Sequence, residues 1–416
     1  MSTLPFLVSF RRTLIVACCG AALAALLATG GGPAQAGTAI GPDVTVFSFT
    51  DINSYGSADG FASFSVGTTA CNRGDAPLNW CDQGSGCAPG VGDAEHPVIA
   101  QNLYRLKNGR FQQIGMSWLK HGFVSGNDSV PGCAGVSGQP CTSPPAGGNQ
   151  LGVGCADPYS ARQNGDLPLG RRSEVNATTG VFPFPPEGGG ASSTIYDQRL
   201  KVATADLDRS DLYWVEAHYI ASDDASSGNA LNNASYHQVT LGAAPTYALT
   251  KIGPFFEQQP AIFAWQAQDP RVSVVIVDVP GPVVERFHVA RKVTPAFGNL
   301  WHYEYVVHNM NSDRGARSFS VKFPKKTNIL NVGFKDIEHH SGEPYAINDW
   351  KVTRSNTTLT WTTQAFKNNP NANALRWSTA YNFWFDTRQP PSARIKHTIG
   401  LFKPGTPASV EFRILL

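Results

Sequence analysis

Between residues 272 and 415 the chain repeats one pattern nine times: a short run rich in β-branched and aromatic residues, then a break of Gly, Pro, Asn or Asp. The runs are 272–279, 287–293, 301–309, 316–323, 350–355, 357–362, 375–385, 395–401 and 408–415. No stretch carries a 3.6-residue period long enough for the helix of a βαβ unit, which argues against Rossmann, TIM-barrel and α/β-hydrolase folds. Short strands at this spacing predict a β-sandwich.

The first half is also strand-like but more interrupted. Runs at 44–49, 61–66, 98–106, 111–118, 200–205, 212–220 and 236–241 read as strands, with 51–60 as a turn-rich break and Asn108-Gly109 as a hairpin signal. Residues 125–154 are nearly all turn formers, with cysteines inside and beside them, so they read as a stapled loop. The fold class is therefore all-β, with β-sandwich-like modules and long disulfide-stapled loops in the N-terminal half. The expected organisation is a signal peptide at 1–36, a disulfide-containing β domain at 37–245 and a cysteine-free β-sandwich domain at 246–416.

Arg11-Arg12, an apolar stretch over 14–28 and Ala34-Gln35-Ala36 have the layout of an export signal. The apolar stretch is too short to span a bilayer comfortably, so cleavage is expected and no integral membrane segment remains in the mature chain. Removal takes both arginines and no acid, leaving 31 basic against 31 acidic residues. A neutral chain without a Lys/Arg block has no electrostatic footprint for nucleic acid. Cys71, Cys81, Cys87, Cys133, Cys141 and Cys155 remain, an even number that reads as three disulfides in a secreted or periplasmic protein. Fifteen connectivities are open to six cysteines, and spacing favours Cys81–Cys87 and Cys133–Cys141 as local staples with Cys71–Cys155 as the long closure.

Several constellations have the residue types for chemistry. On the 301–309 run, alternation puts Trp301, Tyr303, Tyr305 and Val307 on one face and His302, Glu304, Val306 and His308 on the other. His302 and Glu304 lie about 7 Å apart along a strand, close enough to share a transition metal, with His308 farther along. Glu216 and His218 repeat the pairing in the first half, with His237 one hairpin away. Alternation alone also yields such pairs on solvated faces. Asp206, Asp208 and Asp211 offer oxygen ligands suited to Ca2+, without the Gly and Glu of an EF-hand loop. Glu338-His339-His340 with Glu343, and His121 with Asp157, are further polar groups in turn contexts. Trp214 and Trp384 are candidate platforms for sugar rings if their faces point outward, and core if sheets pack on both sides.

The stretches Cys71-Asn72-Arg73-Gly74, His96 to Leu106, Ser117 to Phe123, Gly154 to Ser160 and Leu401 to Gly405 resemble a group of secreted bacterial proteins seen in planctomycete-like genomes, which carry no assigned activity. The resemblance spans most of residues 44–406. It implies that Cys71, Cys133, Cys141 and Cys155 are shared across the group and that 75–89, with Cys81 and Cys87, is an insertion whose two cysteines pair together.

Taken together, these readings predict a secreted β-rich protein that binds or scaffolds, with a carbohydrate or cell-surface partner. The competing expectation is an extracellular metal-dependent hydrolase or oxidase with His and carboxylate ligands.

Overall fold

The computed structural model describes residues 40–81, 94–187, 193–324 and 327–415. The chain is all-β, and the longest helix among the described residues is the seven-residue Ile262–Gln268. None of these helices is long and apolar enough to cross a membrane.

The first half forms one large antiparallel sheet. Its main path runs Val44–Ala58, Phe61–Asn72, Leu200–Ala203, Arg110–Met116, Val98–Lys107, Leu212–Ile220, Ala234–Leu241, Leu249–Phe256. The sheet curls until its ends meet: Ser235 Oγ donates to the Val46 carbonyl at 2.7 Å, and Lys251 Nζ donates to the carbonyls of Phe49 at 2.7 Å and Thr50 at 2.9 Å. The curl encloses a core. Tyr213, Val215, Ala217 and Tyr219, the alternate residues of one strand, point into it alongside Phe64, Val66 and Leu103. Each large apolar side chain removed from water in this way contributes about 1.5–3 kcal/mol.

The second half is a sandwich of two five-stranded sheets. One has the order Ser273–Val279, Glu285–Ala296, Leu300–Asn309, Thr379–Thr387, Ile329–Lys335; the other Lys351–Arg354, Thr358–Thr362, Ala316–Lys322, Lys396–Leu401, Ser409–Arg413. Tyr303, Tyr305, Phe319, Trp361, Phe383 and Phe385 fill the space between them, with Tyr303 stacked on Phe385 at 4.8 Å between centroids. This packing explains the aromatic richness of the alternating strands: one face of each is sandwich core.

A third apolar cluster joins the halves. Tyr104, Phe111, Trp214 and Tyr236 from the outer face of the curled sheet meet Ile262, Trp265, Ala290, Val306 and Ala380. Trp214 is 1% exposed and belongs to this core, so it is not a binding platform.

Four expectations need correction. Leu249–Phe256 lies beyond residue 245 but still pairs with Ala234–Leu241, so the change of sheet comes after it, at the helix Ile262–Gln268. The 51–60 break is mostly strand: Val44–Ala58 runs through it on three register shifts and turns only at Asp59 and Gly60, both with positive φ. Ile329–Lys335 is a strand that the residue pattern hid behind Asn331 and Gly333.

The disulfides are the fourth. They join Cys71 to Cys133 and Cys141 to Cys155, not Cys133 to Cys141 and Cys71 to Cys155. The cause is the path of the stapled loop. Thr142 N–H donates to the Val153 carbonyl at 3.0 Å, which sets Cys141 opposite Cys155. Cys71 pairs in register with Ala156, and Cys133 packs on both. The Cys81–Cys87 pairing lies outside the described residues because Cys87 does.

Candidate functional site: a charge-paired cleft at the junction of the two halves

The strands Glu285–Ala296 and Leu300–Asn309 pair so that Thr294 lies opposite His302 and Lys292 opposite Glu304. Asp386 occupies the matching position on the other neighbour, opposite His302. From the first half, the Asn108-Gly109 turn brings Lys107, Arg110 and Gln112 to the same place; its φ values of 51° and 81° are those an Asn-Gly hairpin tip adopts at little cost. All of these except Asp386, which sits behind His302, line a cleft of about 320 Å3.

Charge pairing organises the cleft. Arg110 Nε and Nη2 donate to the two Glu304 oxygens, each at 2.8 Å, and the guanidinium lies 3.7 Å from the Trp384 ring centroid. His302 Nδ1 is 2.6 Å from Asp386 Oδ1, and Nε2 is 3.2 Å from Glu304 Oε2. A carboxylate at each nitrogen favours the protonated ring, in which both nitrogens donate. Its pKa is raised, first by the Glu304 hydrogen bond and further by Asp386, against the opposing effect of burial. Lys292 pairs with Asp269 at 2.8 Å, and Lys107 with Asp211 at 3.4 Å and Asp208 at 3.5 Å. Every charged side chain lining the cleft therefore has an opposite charge beside it.

His302 and Glu304 do meet, but as a hydrogen-bonded pair. His308 lies about 20 Å along the same strand from His302 and is 1% exposed, with its Nδ1 3.4 Å from His288 Nδ1. Glu216 and His218 are likewise buried in the junction, not solvated. Glu216 accepts from Asn102 Nδ2 at 2.7 Å, Tyr104 OH at 3.1 Å and Ala261 N–H at 2.6 Å, and burial raises its pKa despite those bonds. His218 has its pKa lowered to about 3 by burial first, then by His308 and Arg172. The sequence pattern placed these residues on one face of each strand correctly; the finding is that both faces are covered.

Asp206, Asp208 and Asp211 face cations in place of calcium. Arg105 sits 3.1 Å from Asp206 and 3.9 Å from Asp211, and Lys107 holds the other contacts. Among the described residues, no three His, Cys, Asp or Glu side chains are arranged to hold a metal ion. In the two turn-borne groups, Glu338 is exposed while His340, Glu343, His121 and Asp157 are held by the fold. His340 Nε2 lies within hydrogen-bond distance of the Tyr196 and Arg199 carbonyls, at 3.1 and 3.0 Å, while Glu343 accepts from the N–H groups of Arg172 and Ser173. His121 is bonded to His96 at 2.9 Å, whereas Asp157 accepts from Gly126 N–H.

Sequence reasoning missed Arg110, Lys292, Asp386 and Phe297. Phe297 stands 99% exposed in the turn joining Glu285–Ala296 to Leu300–Asn309, three residues beyond Thr294 in sequence. The signals for it were present: Phe297-Gly298-Asn299 is a turn sequence with an apolar ring where nothing requires one.

The chain matches no family model, and no curated protein matches it significantly.

Proposed function

We propose that this is an exported binding protein and that the cleft around His302, Glu304 and Arg110 takes a neutral, hydroxyl-rich ligand of carbohydrate type. The observation carrying this reading is the complete internal pairing of the charges that line the cleft. An ionic ligand would have to displace one of these partners. A neutral ligand would not, and the paired side chains keep spare donors and acceptors at fixed positions, beside the amides of Asn108 and Gln112 and the Thr294 hydroxyl. The exposed ring of Phe297, on the hairpin that carries Thr294 and His302, supplies the apolar surface on which a sugar ring stacks.

The same pairing weighs against the hydrolase or oxidase reading. Both His302 nitrogens and both Glu304 oxygens are engaged, so neither residue is a free base or metal ligand, and no Ser or Cys lines the cleft. Two disulfides in the first half support an oxidising compartment.

The test is binding of purified protein to an array of neutral, acidic and basic glycans. Neutral glycans are expected to be retained, and Phe297→Ala to weaken retention about tenfold with the fold unchanged by circular dichroism. Retention of acidic glycans alone, or indifference to Phe297→Ala, would contradict the reading.

A further inference from the structure

A second cleft of about 320 Å3 adjoins the first, and Gln112 lines both. It follows the strand Arg110–Met116 away from the Asn108-Gly109 turn and is bounded by Lys201 and Asp206 on one side and by residues 335–340 on the other. The cause of the gap is a divergence in the curled sheet. Leu200–Ala203 pairs with Arg110–Met116 only at Gly115 and Met116, and the chain then leaves through the Thr204–Asp206 turn. On that edge the rest of the strand, Arg110 to Ile114, has no strand partner among the described residues. The 335–340 segment closes over the opening, anchored by the His340 contacts to the Tyr196 and Arg199 carbonyls and by Asn373 Nδ2 donating to Asp336 at 2.5 Å.

We infer that the two clefts are successive parts of one groove, and that its ligand is a chain of several sugar units, not a single ring. This rests on the carbohydrate reading of the first cleft and extends it. From Arg110 to Met116 the groove follows about 20 Å of strand. Aromatic rings are available towards both ends: Phe61 with Tyr196 beside the second cleft, where Lys201 Nζ lies 3.9 Å from the Phe61 centroid, and the exposed Phe297 in the turn that joins the two strands carrying Thr294 and His302 of the first. The middle is polar, with Arg105 Nη2 donating to Gln112 Oε1 at 3.0 Å. Rings separated by a polar stretch match a polymer of repeating ring and hydroxyl surfaces. An extended peptide fits less well. Strand addition requires a free ladder of backbone groups, and the Phe111 carbonyl already accepts from Asn382 Nδ2 at 2.8 Å.

The experiment is calorimetric titration with cello-, malto- and manno-oligosaccharides of one to six units, on the wild-type protein and on Lys335→Ala and Glu338→Gln, two exposed residues of the second cleft. For the series that binds, affinity is expected to rise at least tenfold between one and four units. Each variant is expected to weaken the longest oligomer several-fold while leaving the shortest binder unchanged. Affinity independent of chain length, or variants without effect on long chains, would overturn the continuous groove and leave the single cleft standing. Binding by none of the three series overturns both readings, and so does displacement of bound oligomer by a random octapeptide library.

Discussion

Arg110 and Glu304 lie 194 residues apart in the chain and meet in a two-pronged ion pair, both contacts at 2.8 Å. The pair spans the junction between the curled sheet and the sandwich and forms the wall of the cleft. Glu304 is nearly buried while Arg110 is partly exposed, with side chains 5% and 28% accessible. Removing Arg110 therefore leaves a desolvated carboxylate with His302 as its one remaining charged partner among the described residues, whereas Glu304→Gln removes its charge as well. Arg110→Ala is expected to cost about 1–3 kcal/mol of stability and Glu304→Gln less, measured by urea unfolding. A double-mutant cycle should show coupling between them; additive effects would mean that the pair contributes nothing.

The disulfides differ in the loop each closes. Cys71–Cys133 spans 62 residues and Cys141–Cys155 spans 14. Chain-entropy reasoning gives about 4 kcal/mol for the first and about 3 kcal/mol for the second. Peptide mapping of non-reduced protein should recover these two pairs, and a Cys71→Ala/Cys133→Ala variant should melt below a Cys141→Ala/Cys155→Ala variant.

Protonation should open the molecule at acid pH. His218 and His308 have pKa values lowered to about 3 and His288 well below its ordinary value, each chiefly by burial. Arg172 acting on His218 and Arg286 acting on His288 oppose a further positive charge. A histidine whose folded pKa is depressed gives up stability as pH falls from its unfolded value near 6.5 towards 3, because the unfolded chain takes up the proton first. Buried Asp43 and Asp223, raised to about 6, and Asp157, raised to about 7, act oppositely: their contribution is present at low pH and lost as pH rises from about 4 to 6–7. Below pH 4 the histidine effect is joined by that of Asp269, whose carboxyl is held far below the usual carboxylate range by Arg271 and Lys292 and loses those partners on protonation. Fluorescence of Trp377, whose ring lies 6.2 Å from His218, should report a cooperative acid transition, and His218→Phe/His308→Phe should move it to lower pH. An unmoved midpoint would show that these rings do not govern it.

Gly333 is held glycine by Trp384, the ring over which Arg110 lies. A Cβ there would come within 2.1 Å of two Trp384 ring carbons. Gly333→Ala should push the indole against Arg110, destabilise the protein by about 1–3 kcal/mol and weaken ligand binding in parallel. Unchanged thermal stability would indicate that the strand Ile329–Lys335 can yield.

The strands that face a core on one side were readable from residue pattern. Leu212–Ile220 and Leu300–Asn309 appeared within a residue of their ends, because Tyr213/Val215 and Tyr303/Tyr305 alternate with polar residues. That same alternation implied solvent on the polar side and so misplaced Glu216, His218 and His308. A buried polar network at a junction looks like a wet face when only one strand is inspected, since its partners lie elsewhere in the chain: Ala261 for Glu216, His288 for His308. The cleft was half visible for the same reason. His302 and Glu304 stood out as neighbours on one strand, whereas Asp386 and Arg110 join them only through strand register and the docking of the two halves. The disulfide pairing failed where nearness in sequence was taken for nearness in space, and the folding back of the loop around Thr142 and Val153 decides the matter.

The most direct test of the binding account is nitrogen NMR of the imidazole rings during titration with the neutral oligosaccharide panel. At least one series should produce a saturable shift of the His302 resonances, with His397, buried in the sandwich core against Tyr305, unmoved. Resonances of His302 that stay fixed while ligand binds elsewhere, or that stay fixed across the whole panel, would contradict it.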